Sequence, residues 1–163
     1  MAKMTDPSNA LQSFQRLLMT GKIQLEPGRL DTNLYSYVDE TDGTTRFALV
    51  RLERKTVTAF VVFAQDGTIE GKPCFAIGYA VPEACRNQGR AKEIVRAALA
   101  EMQGAFRNLH PEFYVVAIVG ADNKFSQRVA EQTISNAPVA LTDEISGLPA
   151  LKYVRKVANP TNS

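Results

Sequence analysis

Histidine and cysteine are scarce in this sequence. His110 is the only histidine among 163 residues, and Cys74 and Cys85 are the only cysteines. A protein zinc site usually takes four nitrogen and sulfur ligands at close spacing, so the composition argues against a metal centre. The two cysteines show no paired spacing either. We therefore expect both thiols to stay free, as in the reducing setting of the cytoplasm.

Long apolar runs and clustered charge are also absent. The start of the chain lacks the apolar stretch of a signal peptide, and no stretch approaches the length of a membrane-spanning helix. The net charge of +2 comes from 19 basic and 17 acidic residues spread along the chain, whereas nucleic-acid-binding proteins usually carry a clustered basic face. We expect a cytoplasmic protein that binds neither membrane nor nucleic acid.

The length and hydrophobic content indicate one domain. With 163 residues, 45% of them hydrophobic, the chain can bury one core and is too short for two ordinary domains. We expect the domain to span residues 1–158 and residues 159–163 to form a disordered tail.

The first half of the chain predicts a helix followed by an antiparallel meander. Asp6 and Pro7 fit the N-cap and first residue of a helix that ends at Gly21. Its expected apolar face is Leu11, Phe14, Leu17 and Leu18. Strands are expected at residues 34–39, 46–53, 56–64 and 75–81. The short connections, the last beginning at Asp66-Gly67, exclude parallel crossovers.

The second half predicts helix, strand, helix and hairpin. A helical apolar pattern runs from Lys92 to Gln103. Residues 113–119 are almost continuously apolar, so this strand should lie parallel to the 75–81 strand, joined to it by the helix as a right-handed crossover. A second helix should place Phe125 and Val129 inward. Residues 139–142 and 151–157 then predict a closing hairpin.

The segment from Phe75 to Gln103 carries the functional signal. A strand ends at Pro82, a glycine-bearing turn follows, and the pattern changes to helical period. A helix N-terminus exposes unpaired backbone N–H groups and about half a positive charge, so it can bind a phosphate. Gly89 would let a phosphate approach the backbone, and Ala91 would permit close packing of helix on strand.

The turn Arg86-Asn87-Gln88-Gly89-Arg90-Ala91 resembles the signature of the GNAT acetyltransferase superfamily: Gln or Arg, two variable residues, Gly, one variable residue, then Gly or Ala. Asn123-Lys124-Phe125-Ser126 is similar to the Asn-x-x-Ser element that opens the family's next helix. The resemblance covers residues 72–135. It implies an α+β fold whose mixed sheet has an antiparallel N-terminal meander, one parallel pair splayed at a cofactor cleft, flanking helices and a C-terminal hairpin.

The resemblance further implies acetyl-CoA as the acyl donor, with no metal. Backbone N–H groups from Gln88 to Ala91 would bind the pyrophosphate. The pantetheine arm would lie between the splayed strands, paired with the backbone of one strand and held from the other side by an asparagine amide. The implied cofactor-binding residues are Tyr79, Val81, Arg86, Asn87, Gln88, Gly89, Arg90, Ala91, Asn123 and Ser126.

The implied reaction is direct attack of a primary amine on the thioester, with a small molecule or a peptide as the acceptor. Only about one lysine-like amine in a thousand is free base at neutral pH, so the reaction needs help in removing a proton. Glu83, just after the strand, is a candidate base acting through water, and Tyr79 is a candidate acid.

Two features depart from the family. Its leaving thiolate is often protonated by a tyrosine seven residues after the motif Asn, and that position is Ala130 here. One helix also precedes all the strands, whereas the family usually places helices between its first two strands, where they help form the acceptor site. The acceptor therefore cannot be predicted by analogy.

Other interpretations fit the same residues. An ordinary strand-to-helix connection would explain the turn, and Asn123 fits a helix N-cap. Tyr79 fits a packed strand residue, Cys85 a small buried side chain and Glu83 a solvated carboxylate. A non-catalytic acyl-CoA sensor, or a regulatory domain with a vestigial cleft, is the alternative to an enzyme. Exposed strand edges also suggest a homodimer.

Overall fold

An eight-stranded mixed sheet with helices on both faces makes up residues 6–158, the part of the chain that the computed structural model describes. The strand order is β1-β2-β3-β4-β5-β6-β8-β7. The elements are α1 (Pro7–Met19), β1 (Glu26–Pro27), β2 (Tyr35–Thr41), β3 (Thr44–Glu53), β4 (Thr56–Ile69), β5 (Lys72–Ala80), a 3-10 helix (Glu83–Cys85), α2 (Arg90–Ala105), β6 (Glu112–Gly120), α3 (Lys124–Thr133), β7 (Val139–Thr142) and β8 (Pro149–Ala158).

The predicted antiparallel meander is confirmed, but its last connection begins later than we expected. β2 to β5 pair antiparallel in chain order. The connection expected to begin at Asp66-Gly67 begins later, because β4 continues to Ile69 and absorbs these residues as an irregularity between Gln65 and Thr68. The chain reverses at Glu70, whose φ of 51° is typical of a tight turn.

The first helix covers one face of the sheet. The Asp6 carboxylate accepts a hydrogen bond from the Ser8 N–H at 2.9 Å, which confirms the predicted N-cap. Phe14 is buried against Phe60, with ring centroids 5.5 Å apart. Leu17, expected on the buried face, is 40% exposed because it lies at the margin of the apolar stripe.

The other face is covered by α2 and α3. The predicted apolar positions of α2 are all buried; they are Ile94, Val95, Ala98, Leu99 and Met102. They share one core cluster with inward side chains of β4, β5, β6 and β8. Phe125 of α3, expected to face inward, is 39% exposed because the first turn of this helix borders a cleft. The expected tail, residues 159–163, lies outside the described residues.

The parallel pair splits, and this split positions the site. β5 and β6 pair at three positions only, the last being Ala76 with Val116. Beyond it each strand stays paired on its outer side, β5 with β4 as far as Ala80 and β6 with β8 as far as Gly120. A gap therefore opens between the strand ends from which α2 and α3 begin. This confirms the predicted α+β fold with a splayed parallel pair.

A carboxylate on α2 holds the loop between β1 and β2. The two oxygens of Glu101 accept hydrogen bonds from the backbone N–H groups of Arg29, Leu30 and Asp31. The loop lies so close to α2 that a β-carbon at Gly28 would come within 3.0 Å of the Glu101 carboxyl group. The loop and the helix thus form one unit.

Glu101→Gln should lower the free energy of unfolding by about 1–3 kcal/mol, because backbone donors lose a charged acceptor. Urea unfolding curves measure this loss. Glu144→Gln, at an exposed position of the β7–β8 loop, is the matched control and should stay within about 0.5 kcal/mol of the wild type. Equal stability of the two variants would contradict the role given to Glu101.

Candidate functional site

The turn between β5 and α2 is fixed by its own arginines. Arg86 donates through Nε to the Val81 carbonyl at 3.1 Å, and Arg90 donates through Nε to the Gln88 side-chain oxygen at 2.9 Å. Asn87 has a φ of 62°, in the left-handed region. These contacts hold the segment against the end of β5 and direct the start of α2 toward the gap.

The N-terminus of α2 has no side-chain cap. Gly89 occupies the N-cap position at a φ of 71°, and no side chain bonds to the first N–H groups. A β-carbon at Gly89 would meet no atom within 4 Å, so the space in front of it is open. A free first turn of this kind attracts anions through its N–H groups and its dipole.

A cleft of about 230 Å³ lies between the turn, α2 and α3. Its basic residues are Arg86, Arg90, Lys92 and Arg128, and no acidic residue is among the described residues that line it. The other lining residues are Val81, Cys85, Asn87, Gly89, Ala91, Phe125, Val129 and Gln132. Its chemistry therefore suits a ligand with several phosphates and an apolar portion.

The sequence did not identify the α3 wall of this cleft. One signal in the sequence could have found it: the helical spacing of Phe125, Arg128 and Gln132. This spacing places the three side chains on one face of α3. The expected burial of Cys85 is only partly met, since this free thiol is half-buried and lines the cleft.

A tyrosine beside the gap joins β5 to α3. The Tyr79 hydroxyl donates to the Ser126 carbonyl at 2.6 Å and so joins β5 to the first turn of α3. Burial, reinforced by the neighbouring Tyr153, raises the pKa of Tyr79 well above its ordinary value of 10.0. The phenol therefore stays protonated and acts as a hydrogen-bond donor. Asn123 caps α3, since its side-chain oxygen accepts from the Ser126 N–H at 3.1 Å.

Most of the predicted cofactor-binding residues lie together. Those that line the cleft are Val81, Arg86, Asn87, Gly89, Arg90 and Ala91. Gln88 lies in the same turn, and Tyr79, Asn123 and Ser126 lie beside the gap. Glu83, the candidate base, is exposed on the 3-10 helix and is not among the residues lining the cleft.

A second cleft of about 480 Å³ borders the first turn of α2 on its other side. Its charges are mixed, and Arg51 is already held by two carboxylates, Asp31 at 2.6 Å and Glu93 at 2.7 Å. The hydrogen bond from Arg51 holds the pKa of the Asp31 carboxyl below its ordinary value of 3.8. Part of the charge of this cleft is therefore already paired within the protein.

Asp31→Asn should lower the free energy of unfolding relative to the wild type at neutral pH. In acid the two proteins should be equally stable. A carboxyl whose pKa is lowered by folding stabilises the protein at pH values above its pKa in the unfolded chain. This contribution disappears as the pH falls through the pKa of the carboxyl in the folded protein. Urea unfolding of both proteins between about pH 7 and about pH 3 measures the difference. A difference that does not change with pH would show that Asp31 acts without its charge.

The described part of the chain holds neither a membrane-spanning helix nor a cluster of metal-binding side chains. Within residues 6–158 no helix is long and apolar enough to cross a membrane. In the same range no group of three or more His, Cys, Asp or Glu side chains is placed to hold a metal ion.

Comparison with known proteins agrees with the geometry. The family model described as "Acetyltransferase (GNAT) family" matches residues 11–134. No curated protein sequence matches the chain.

Two solved structures illustrate the similarity of fold. One is yncA from Salmonella typhimurium, a putative acetyltransferase with its cofactor acetyl-CoA. Its sequence is 15% identical to this chain, the match covers 99% of this chain and 79% of that one, and the TM-score is 0.53. The other is RimL, a ribosomal L7/L12 alpha-N-protein acetyltransferase, in an apo crystal form, with 17% identity, 71% and 72% coverage and a TM-score of 0.50. At such identities the likeness concerns the fold alone.

Proposed function

The chain belongs to the GNAT acetyltransferase family, and from this premise we propose that it transfers the acetyl group of acetyl-CoA to a primary amine. The observation that carries the proposal is the cleft at the N-terminus of α2. Uncapped backbone N–H groups and basic side chains meet there, and no acidic residue is among its described lining.

The residues of the cleft fit the phosphates of coenzyme A. Gly89 leaves the first turn of α2 open, and N–H groups from Gln88 to Ala91 would bind the pyrophosphate. Each such contact contributes about 0.3–1 kcal/mol, so several must act together. Arg128 and Lys92 add positive charge from the two helices that form the walls.

The gap between β5 and β6 is the proposed place of the pantetheine arm. Backbone groups of Tyr79 and Val81 border it on one side, and Asn123 and Ser126 on the other. The Val81 carbonyl already accepts a hydrogen bond from Arg86, and its oxygen keeps a second lone pair. The Asn123 side-chain oxygen is used in the cap, so its amide N–H groups are the ones offered to a ligand.

The bound donor supplies an acetyl thioester, and the protein has to orient it and exclude water. Val81 and Val129 give the cleft an apolar lining for this purpose. Glu83, exposed on the 3-10 helix that follows β5, is the proposed base and would act through water. Tyr79 is less suited to giving up its proton, because its hydroxyl is already donated to Ser126 and its pKa is raised. The acceptor is a small molecule or a peptide amine, and the proposed location is the cytoplasm.

An acetyl-transfer assay tests the proposal. Purified protein is incubated with acetyl-CoA and a panel of polyamines, amino acids and short peptides, and the release of free thiol and the mass of each acceptor are measured. Amine-dependent thiol release with an acetylated product is expected. Acetyl-CoA binding without transfer to any acceptor would favour the sensor instead.

A further inference from the structure

Tyr153 carries a buried hydroxyl without a hydrogen-bond partner. The residue lies on β8 and is 0% exposed. Of the buried side-chain nitrogen and oxygen atoms in residues 6–158, only its hydroxyl is unpaired. A phenol in the interior normally finds a partner, because an unpaired one forfeits its hydrogen bonds to water and gains none in return. Such a group is a candidate for contact with a bound ligand.

The position of Tyr153 relates this hydroxyl to the gap. The last pair between β5 and β6 is Ala76 with Val116, and the next residue of β6, Ala117, pairs with Tyr153. Tyr153 therefore lies level with the inner end of the gap, one strand away across β6, where β5 and β6 begin to separate. The anion-binding turn stands at its outer end, after β5.

The neighbours of Tyr153 leave room for its ring on the α3 side of the sheet. Ala117 and Ala130 are small, buried members of the same core cluster, and Tyr79 belongs to it too. Burial, with a smaller contribution from Glu131 of α3, raises the pKa of Tyr153, so this phenol stays protonated. Tyr79 has already committed its hydroxyl to Ser126, so Tyr153 is the phenol with a free donor.

We propose that the Tyr153 hydroxyl donates a hydrogen bond to the sulfur of bound acetyl-CoA and stabilises the charge that develops there. The inference rests on the proposed function. As the N–C bond to the acceptor forms and the C–S bond breaks, the sulfur keeps the bonding electron pair. The proton lost by the amine passes to water, and Tyr153 keeps its own. Sulfur is the appropriate atom because a ligand held by its phosphates at the outer turn presents its opposite end to the inner end of the gap.

The first test compares coenzyme A with an analogue in which hydrogen replaces the thiol group. The wild type should bind coenzyme A several-fold more tightly than the analogue, by about 3- to 10-fold in calorimetry. Tyr153→Phe should bind both equally. If Tyr153→Phe keeps the preference of the wild type, the hydroxyl does not contact the sulfur and the proposal is wrong.

The second test separates a catalytic from a structural role. Tyr153→Phe should lower kcat by about 10- to 100-fold with a smaller change in KM for acetyl-CoA. Its thermal unfolding midpoint should not fall, because the substitution removes an unpaired buried hydroxyl. An unchanged kcat, or a fall in kcat that only accompanies a lower midpoint, would overturn the proposal.

Tyr114→Phe is the matched control. Tyr114 is another buried phenol, but it lies on β6 in a different core cluster and donates to Glu70 at 2.8 Å. Tyr114→Phe should therefore reduce stability and leave unchanged both kcat and the preference for coenzyme A over the analogue without the thiol.

If the wild type itself bound no acetyl-CoA, the proposed function would fail. Normal turnover by the wild type with an unaffected Tyr153→Phe would refute this inference alone.

Discussion

Gly89→Glu should lower the affinity for acetyl-CoA by at least about 100-fold, or about 2.7 kcal/mol. The substitution places a carboxylate in front of the uncapped N–H groups of α2, where the space is now open. The new side chain would repel the phosphates and compete with them for the same donors. Calorimetry with acetyl-CoA measures the loss.

Gly147→Glu is the control for backbone strain and for added charge. Gly147 has a φ of 73°, against 71° at Gly89, and a β-carbon there also meets no atom within 4 Å. It lies in the β7–β8 loop rather than in the cleft. Its variant should be destabilised to a similar degree and bind acetyl-CoA like the wild type. Equal affinity losses in the two variants would mean that strain or net charge, not the phosphate site, caused the effect.

Phe113→Ala should reduce the free energy of unfolding by about 3–5 kcal/mol. Phe113 is 0% exposed on β6, and its ring centroid lies 5.8 Å from that of Phe75 and 5.5 Å from that of Phe106. These aromatic contacts join both members of the parallel pair to the end of α2, just before the strands separate. A cavity at this point removes packing that the neighbours cannot readily restore.

Phe125→Ala makes the same deletion where the ring is 39% exposed. It should cost less than about 1.5 kcal/mol, because less apolar surface is buried there. Urea unfolding with an unchanged m-value is the appropriate measurement, since a changed slope would signal a different folded or unfolded state. Similar losses for both variants would contradict the assignment of Phe113 to the central core.

The features of the fold that the sequence predicted are local ones. The pattern between Phe75 and Gln103 changes from period two to helical spacing, and neighbouring residues decide such a change. The cap at Asp6 and the meander follow from local patterns too. The start of the connection after β4 was misplaced at Asp66-Gly67, because such a dipeptide can also be absorbed as a bulge when both strands continue to pair.

The features that were missed depend on contacts distant in sequence. Glu101 binds backbone groups about 70 residues earlier in the chain, and no local pattern marks a carboxylate for that use. Arg128 becomes part of the site only because α3 packs beside α2. The unpaired hydroxyl of Tyr153 is defined by the register of β8 on β6, which a single sequence does not specify. The motif could therefore indicate which acyl donor is bound. The groups proposed to lie around the thioester could be identified only from the structure.

Calorimetric titration of the wild-type protein with acetyl-CoA, at low and at high salt, tests the central claim most directly. The proposed phosphate-binding cleft predicts saturable binding of one ligand per chain, with an affinity that falls as salt screens the basic residues. No binding at roughly millimolar ligand, or an affinity that salt leaves unchanged, would contradict the assignment of this cleft to acetyl-CoA.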